Sequence, residues 1–385
     1  MTARSRALNP VFAVAATRAA LASALLGGLA PAAGAQGSVV VPAARATKDA
    51  PRHGWFAGLT TKARQQILIG SRHLAAFRGR KLTGIAVRRD MAFAGPLGGG
   101  RAALEIVVST SMTLDPDAPS ERFDANHGPK PGRVFRGVVG VPASPPVGRR
   151  APWAPSDTVS MSFSVPFPYA GGTLCIECRG APVPGRESTF WPVDYESDLV
   201  SGSAQLRGAT CVGGAVAGPV SAVAWPGTLR PGATAIFQAS ARPGTDGFLL
   251  LGVRPLGGAR GVALAPFGAP GCALYVDAMV DVPVPFGAPF EPGANAHGAA
   301  TILLPKTTGL LGATLLAQWV HTEWRLPRWT NRLGLTTSNL IVARIASRPT
   351  TLGLATVFSR QIGPRPPARG TVRVGTAPVL RLSWR

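Results

Sequence analysis

At 385 residues the chain has room for two ordinary domains, and 46% apolar residues exclude wholesale disorder. Forty-seven Gly and 37 Pro argue against long helices and for many short strands joined by turns. Forty Lys and Arg against 18 Asp and Glu give a formal charge of +22. Only five of the cations are Lys, and the Arg are scattered rather than gathered into the clustered face of a nucleic-acid binder, so coding bias or attraction to an acidic polysaccharide or other envelope polyanion accounts for them.

Residues 1–35 read as a secretory signal. Arg4, Arg6 and Arg18 precede an apolar run from Ala19 to Ala30, and Ala33-Gly34-Ala35 fits a small-residue cleavage site before Gln36. No segment offers the roughly 18 uninterrupted apolar residues of a membrane span. Residues 36–54 are poor in aromatics and are expected to be flexible.

A first β-sandwich is assigned to 55–215. Leu82 to Asp90 and Ala103 to Ser111 alternate apolar and polar residues, as two strands of one sheet would, and Val134 to Val141 is a third strand. From Thr158 to Arg179, Val159, Met161, Phe163, Val165 and Phe167 alternate with serines. A turn at Tyr169-Ala170-Gly171-Gly172 follows, and then a strand carrying Leu174, Ile176 and Cys178. The pattern predicts a half-buried antiparallel hairpin. Gly180 to Gly208 looks looser.

With a boundary near 213–220, a second β-sandwich or jelly-roll-like unit is assigned to 216–346. Its strands are predicted at Thr234–Ala241, Gly247–Val253, Cys272–Asp277, Ala299–Leu304, Ala313–His321 and Asn339–Ile345. The last forty residues hold seven Arg and no acid. They read as a basic Pro/Arg-rich tail over 347–385, with edge strands at Leu352–Phe358 and Val379–Leu382 and a mobile stretch from Gly363 to Gly370. The fold class is therefore all-β, two sandwich units in tandem behind a signal peptide.

Several runs resemble secreted proteins that form paralogous sets in planctomycete-type bacteria. Arg64-Gln65-Gln66-Ile67, Leu82 to Arg88, Leu104 to Thr110, and Val159 to Arg179 with Pro166-Phe167-Pro168-Tyr169 resemble their first domain. Gly271-Cys272-Ala273-Leu274, Leu310 to Trp319 and Gly334 to Asn339 resemble a β domain from the same secretomes. The resemblance spans about two thirds of the chain and implies secretion and β architecture rather than an activity. Some members end in an apolar sorting segment; Val379-Leu380-Arg381-Leu382 does not match one.

Four cysteines in an exported chain point to disulfides. Cys175 and Cys178 lie on opposite faces of one strand, roughly 10 Å apart, too far to pair. Cys178 with Cys211 is the expected bridge and Cys175 with Cys211 the alternative, closing a loop of about 34 residues. Asp115, Asp117, Glu121, Asp124 and His127 crowd potential hard-metal ligands into one loop. The EF-hand order is missing, so a plain inter-strand loop is expected, no cofactor is assigned, and Ca²⁺ is the alternative. No Gly-x-Ser-x-Gly or His-Glu-x-x-His stands in the chain. Glu105 and Glu177 read as solvent-facing strand residues that a hydrolase would need in a cleft.

Of the aromatics, Trp324-Arg325-x-x-Arg328-Trp329 is the best cluster for stacking a sugar beside cations. The expected protein is thus exported and non-catalytic, a structural or binding component of the envelope or extracellular space. Carbohydrate binding through loop aromatics is the alternative and a secreted glycan hydrolase the third reading. Nucleic acid is not expected as a partner.

Overall fold

The computed structural model describes residues 36–147, 152–188, 190–211, 222–286, 296–361 and 363–385. The segment read as a signal and the boundary at 213–220 lie outside these residues. The protein is all-β and its sheets are antiparallel throughout.

The first sandwich packs a four-stranded sheet on a six-stranded one. The smaller runs Gly37–Val41, Leu380–Trp384, Arg80–Arg88, Thr158–Tyr169, and the larger Thr371–Val374, Leu354–Arg360, Ala63–Ile69, Thr173–Pro182, Gly100–Ser111, Gly132–Val141. Alternation places one face of each strand in a shared interior. Ile67, Ile69, Leu104, Ile106, Val108 and Leu174 from the larger sheet meet Leu82, Ile85, Val87, Val159, Met161 and Leu382 from the smaller. Burying side chains of this kind stabilises by about 1.5–3 kcal/mol each.

The predicted strands flanking Gly171-Gly172 are present, but they do not pair with each other. Thr158–Tyr169 pairs with Arg80–Arg88, whereas Thr173–Pro182 pairs with Ala63–Ile69 and Gly100–Ser111. The turn is an arch from one sheet to the other, with both glycines at positive φ, +137° and +83°. Two strands that each carry one apolar face satisfy both by facing each other across the core. For the same reason Arg80–Arg88 and Gly100–Ser111 belong to different sheets.

The second sandwich sets Ser203–Arg207, Leu340–Arg344, Thr314–Thr322, Asp246–Gly252 and Val280–Pro285 over Ala222–Ala224, Thr234–Ala241 and Ala296–Leu303. Its core joins Phe237, Leu249, Phe286, Trp319 and Ile341 to nine alanines.

The ends of the chain differ most from expectation. Residues 37–41, expected to be flexible, form a strand on Leu380–Trp384, which itself also pairs with Arg80–Arg88. Leu354–Arg360 lies inside the larger sheet, between Ala63–Ile69 and Thr371–Val374. The stretch expected to be mobile is tied down: Pro367 O accepts from Arg64 Nη1 at 3.0 Å, and Gly370 N donates to Glu121 O at 2.8 Å. The basic tail is therefore part of the first sandwich, and the second is inserted between its strands. Composition suggested looseness; buried Leu354, Val357, Val372, Val374, Leu380 and Leu382 decide otherwise.

Candidate functional site

The predicted aromatic cluster sits on the loop 323–334, between Thr314–Thr322 and Leu335–Thr337, which pair in register His321 to Thr336. The loop is held from within. Glu323, 2% exposed, accepts from the backbone N–H and hydroxyl of Thr330. Glu323 N donates to Gly334 O at 2.8 Å, and Asn331 Oδ1 accepts from Leu333 N at 3.1 Å. Gly334 has φ +63°, and a Cβ there would lie 2.8 Å from Trp324 Cδ1 and 3.1 Å from Trp329 Cδ2. Both indoles thus close over one glycine that no larger residue replaces without displacing them.

The rings nonetheless face water, Trp324 at 61% and Trp329 at 49% exposure, and Trp324 Nε1 donates to Leu333 O at 3.2 Å. Arg325 is exposed and pairs with Asp246 at 3.1 Å; Arg328 and Arg332 are exposed beside it. Arg242 donates to Arg328 O at 2.9 Å. The structure therefore brings the four predicted residues together as a fixed, cationic, two-indole surface. Trp191 and Trp319 are fully buried and Tyr195 nearly so, which removes them from any platform.

Glu177 corrects a prediction. It is fully buried on the outer face of the larger sheet, beneath the 113–131 loop. Arg64 grips it through Nε and Nη2, both at 3.0 Å, and Gln66 Nε2 donates at 2.7 Å, His127 Nε2 lies at 3.0 Å and Arg179 Nε donates at 2.6 Å. Burial alone would raise this carboxyl, but the bonds from His127 and Arg64 with the nearby guanidinium charges pull it down to about 2. Arg179 also lies 3.9 Å from Glu105, so the two carboxylates share a cation instead of flanking an open cleft.

Ser109 Oγ stands 2.9 Å from His127 Nδ1, completing a Ser–His–Glu line that resembles a hydrolytic triad in its contacts. A nucleophile must meet its substrate. Ser109 has no exposure, its oxygen accepts from Gly128 N at 3.1 Å, and a Cβ on Gly128 would lie 1.8 Å from Thr110 O. No reacting carbon fits there, and the line serves as a buried tie that fastens the 113–131 loop to the sheet. In the Arg64-Gln65-Gln66 run, Arg64 and Gln66 hold Glu177, while Gln65 accepts from Ala57 N at 2.9 Å and donates to Tyr195 Oη at 2.7 Å.

The acids of that loop do not converge. Asp115 pairs with Lys306, Asp117 accepts from Gly353 N at 3.1 Å, Glu121 meets Arg369 at 2.7 Å and Asp124 meets Arg64 at 3.0 Å. Three other carboxylates, of Asp49, Asp90 and Asp194, lie within 4.8 Å of one another. Their counter-charge is supplied from within, since buried Arg88 donates through Nε to Asp194 at 2.8 Å and Ala50 N donates to it at 2.9 Å. Burial pushes the Asp194 carboxyl up to about 7 against the pull of Arg88, with Asp49 adding to the rise.

The disulfide joins Cys211 to Cys272, Cα atoms 4.5 Å apart, and Cys175 and Cys178 are buried thiols. The expected Cys178–Cys211 bridge is therefore wrong, as is the Cys175 alternative. Cys178 faces the first core, whereas Cys211 packs with Leu264, Ala269 and Cys272 in a small cluster of its own. Among the described residues no helix is long and apolar enough to cross a membrane.

Comparison with protein-family profiles and with curated proteins finds no match. Among solved structures a faint likeness is found to the infectious bursal disease virus VP2 subviral particle, 10% identical over 91% of this chain and 79% of that one. The TM-score of 0.13 is too low to support any argument about fold or role.

Proposed function

We propose that the protein is an exported, non-catalytic binding component of the cell envelope or extracellular space that takes acidic polysaccharide on the 323–334 loop. The observation that carries this reading is the pair of exposed indoles fixed over Gly334 beside Arg325 and Arg328. Exposed indoles cost solvation without a partner, sugar rings present apolar faces that stack on them, and neighbouring guanidinium groups select acidic sugars. The Cys211–Cys272 disulfide, the leader-like residues 1–35 and the resemblance to secreted paralogous proteins support export.

A glycan-array screen in moderate and high salt tests the reading. Acidic glycans are expected to bind, to weaken but persist in high salt, and to lose about tenfold in affinity when Trp324 and Trp329 are both changed to Ala. An unchanged profile in that double variant overturns the assignment. So does binding to anionic lipid vesicles with none to glycans, which would make the loop a lipid contact.

A further inference from the structure

A second surface, remote from the loop in sequence and built by different strands, carries its own chemistry. A cleft of about 580 Å³ opens where the two sandwiches meet. Its floor comes from the first sandwich, Arg52 and the 195–201 segment with Arg373 and Thr376, and its wall from the second, Trp225 to Arg230. That volume is in the range of small-ligand sites.

Three arginines line the cleft and, among the described residues, no Asp or Glu does. Arg230 is only 5% exposed. It donates to Asp198 Oδ1 at 2.9 Å behind the wall and to Thr376 Oγ1 at 2.9 Å, which leaves its buried Nε without a partner. Arg52 is exposed and Arg373 half-buried, and neither forms an ion pair among the described residues. The charges of Arg373 and Arg52 add to burial in depressing the basicity of Arg230, against the pull of Asp198. Like charges lining one cleft, one with an orphaned buried donor, are stabilised by an anion between them. At the rim Trp225 is 46% exposed, and its Nε1 donates to Gln238 Oε1 at 3.3 Å, which fixes the ring.

We infer that this cleft is a second binding site, for a saccharide unit bearing a carboxylate or sulfate, its oxyanion held by Arg52, Arg230 and Arg373 and its ring laid on Trp225. Bidentate guanidinium contacts suit either oxyanion, and the indole supplies the preference for a sugar over a bare ion. The site uses none of the loop residues and stands if the loop binds nothing.

Calorimetric titration of the purified chain with a galacturonate trimer, its methyl ester, a sulfated disaccharide and inorganic sulfate tests the inference. The trimer or the sulfated disaccharide is expected to bind, the methyl ester to bind at least about tenfold more weakly, and inorganic sulfate more weakly than either acidic sugar. Which of the two acidic sugars binds tighter identifies the oxyanion. Measured in a Trp324→Ala/Trp329→Ala background, which removes the loop site, Arg52→Gln with Arg373→Gln is expected to reduce the affinity at least about tenfold. Arg52 and Arg373 have no ion pairs to lose, so an unshifted melting temperature confirms that the variant folds. Equal binding with and without the two Arg changes in that background overturns the site, as does no binding of either acidic sugar. Sulfate binding as tightly as the sugars reduces it to an oxyanion hole and overturns the saccharide.

Discussion

The two sandwiches are built to the same plan and held by different means. The first has a wide aliphatic interior and, on its flanks, buried charges that neutralise one another: Arg64 with Glu177, Arg88 with Asp194, Arg89 with Asp157. The second has an alanine-lined inner face, a Trp319–His321 stack with rings 6.1 Å apart and 8° from parallel, and the Cys211–Cys272 bridge. Small residues on one sheet leave the space that the stack and Phe286 fill from the other. The contrast divides the high arginine content into two populations. Arg64, Arg88 and Arg89 of the first sandwich are spent internally as partners of buried carboxylates, while Arg328 of the loop and Arg52 and Arg373 of the cleft form no ion pair among the described residues.

The largest expected effect is on the buried hub. Glu177→Ala strands Arg64 and should cost about 3–5 kcal/mol in chemical denaturation, far more than Glu105→Ala at the half-exposed neighbour. The hub also has a signed pH response. The Glu177 carboxyl is lowered to about 2 from its ordinary 4.5, so its contribution is full above pH 4.5 and lost as pH falls toward 2. A protein equally stable at both ends of that window would show that Glu177 is not the hub.

Next comes the disulfide. Cys211→Ser opens a loop of 61 residues and should cost about 4 kcal/mol in oxidising buffer and nothing in reducing buffer. The cost of Cys178→Ser should be the same in both buffers; a cost confined to oxidising buffer makes the pairing wrong. The smallest effect, on the order of 3 kcal/mol, belongs to His321. Burial lowers it to about 4 and neither ring nitrogen has a partner, so the neutral form is the folded one. Its contribution is whole above pH 6.5 and lost as pH falls toward 4. Acid should therefore weaken the second sandwich before the first, as followed by Trp319 fluorescence, and His321→Phe should abolish that order.

Strands with one apolar face, such as Gly100–Ser111 and Thr158–Tyr169, are legible in the sequence; their partners are not. The alternation around Ile106 and Ile176 marks strands with one apolar face but cannot say which sheet receives them, so an arch reads as a hairpin. Val193–Ser197 is short, and its Asp194 and Glu196 read as solvent-facing acids of a loose stretch, whereas they are buried against Arg88 and Arg45 while Tyr195 packs on the other face. In the tail, Arg and Pro dominate the composition and mask the buried Leu354, Val357 and Val372. The indole loop could be read directly because its residues are adjacent in the chain. Arg52, Arg230 and Arg373 lie too far apart in sequence for any local pattern to unite them.

The strand Leu380–Trp384 lies between Gly37–Val41 and Arg80–Arg88, pairing Gly37 with Trp384. A polypeptide threaded from its N-terminus cannot complete this sheet until those late residues arrive, and contacts of such long sequence range are slow to form. The smaller sheet of the first sandwich is therefore completed only at the end of the chain's delivery. Any truncation before Leu380 would leave two orphaned strand edges exposed to aggregation or proteolysis.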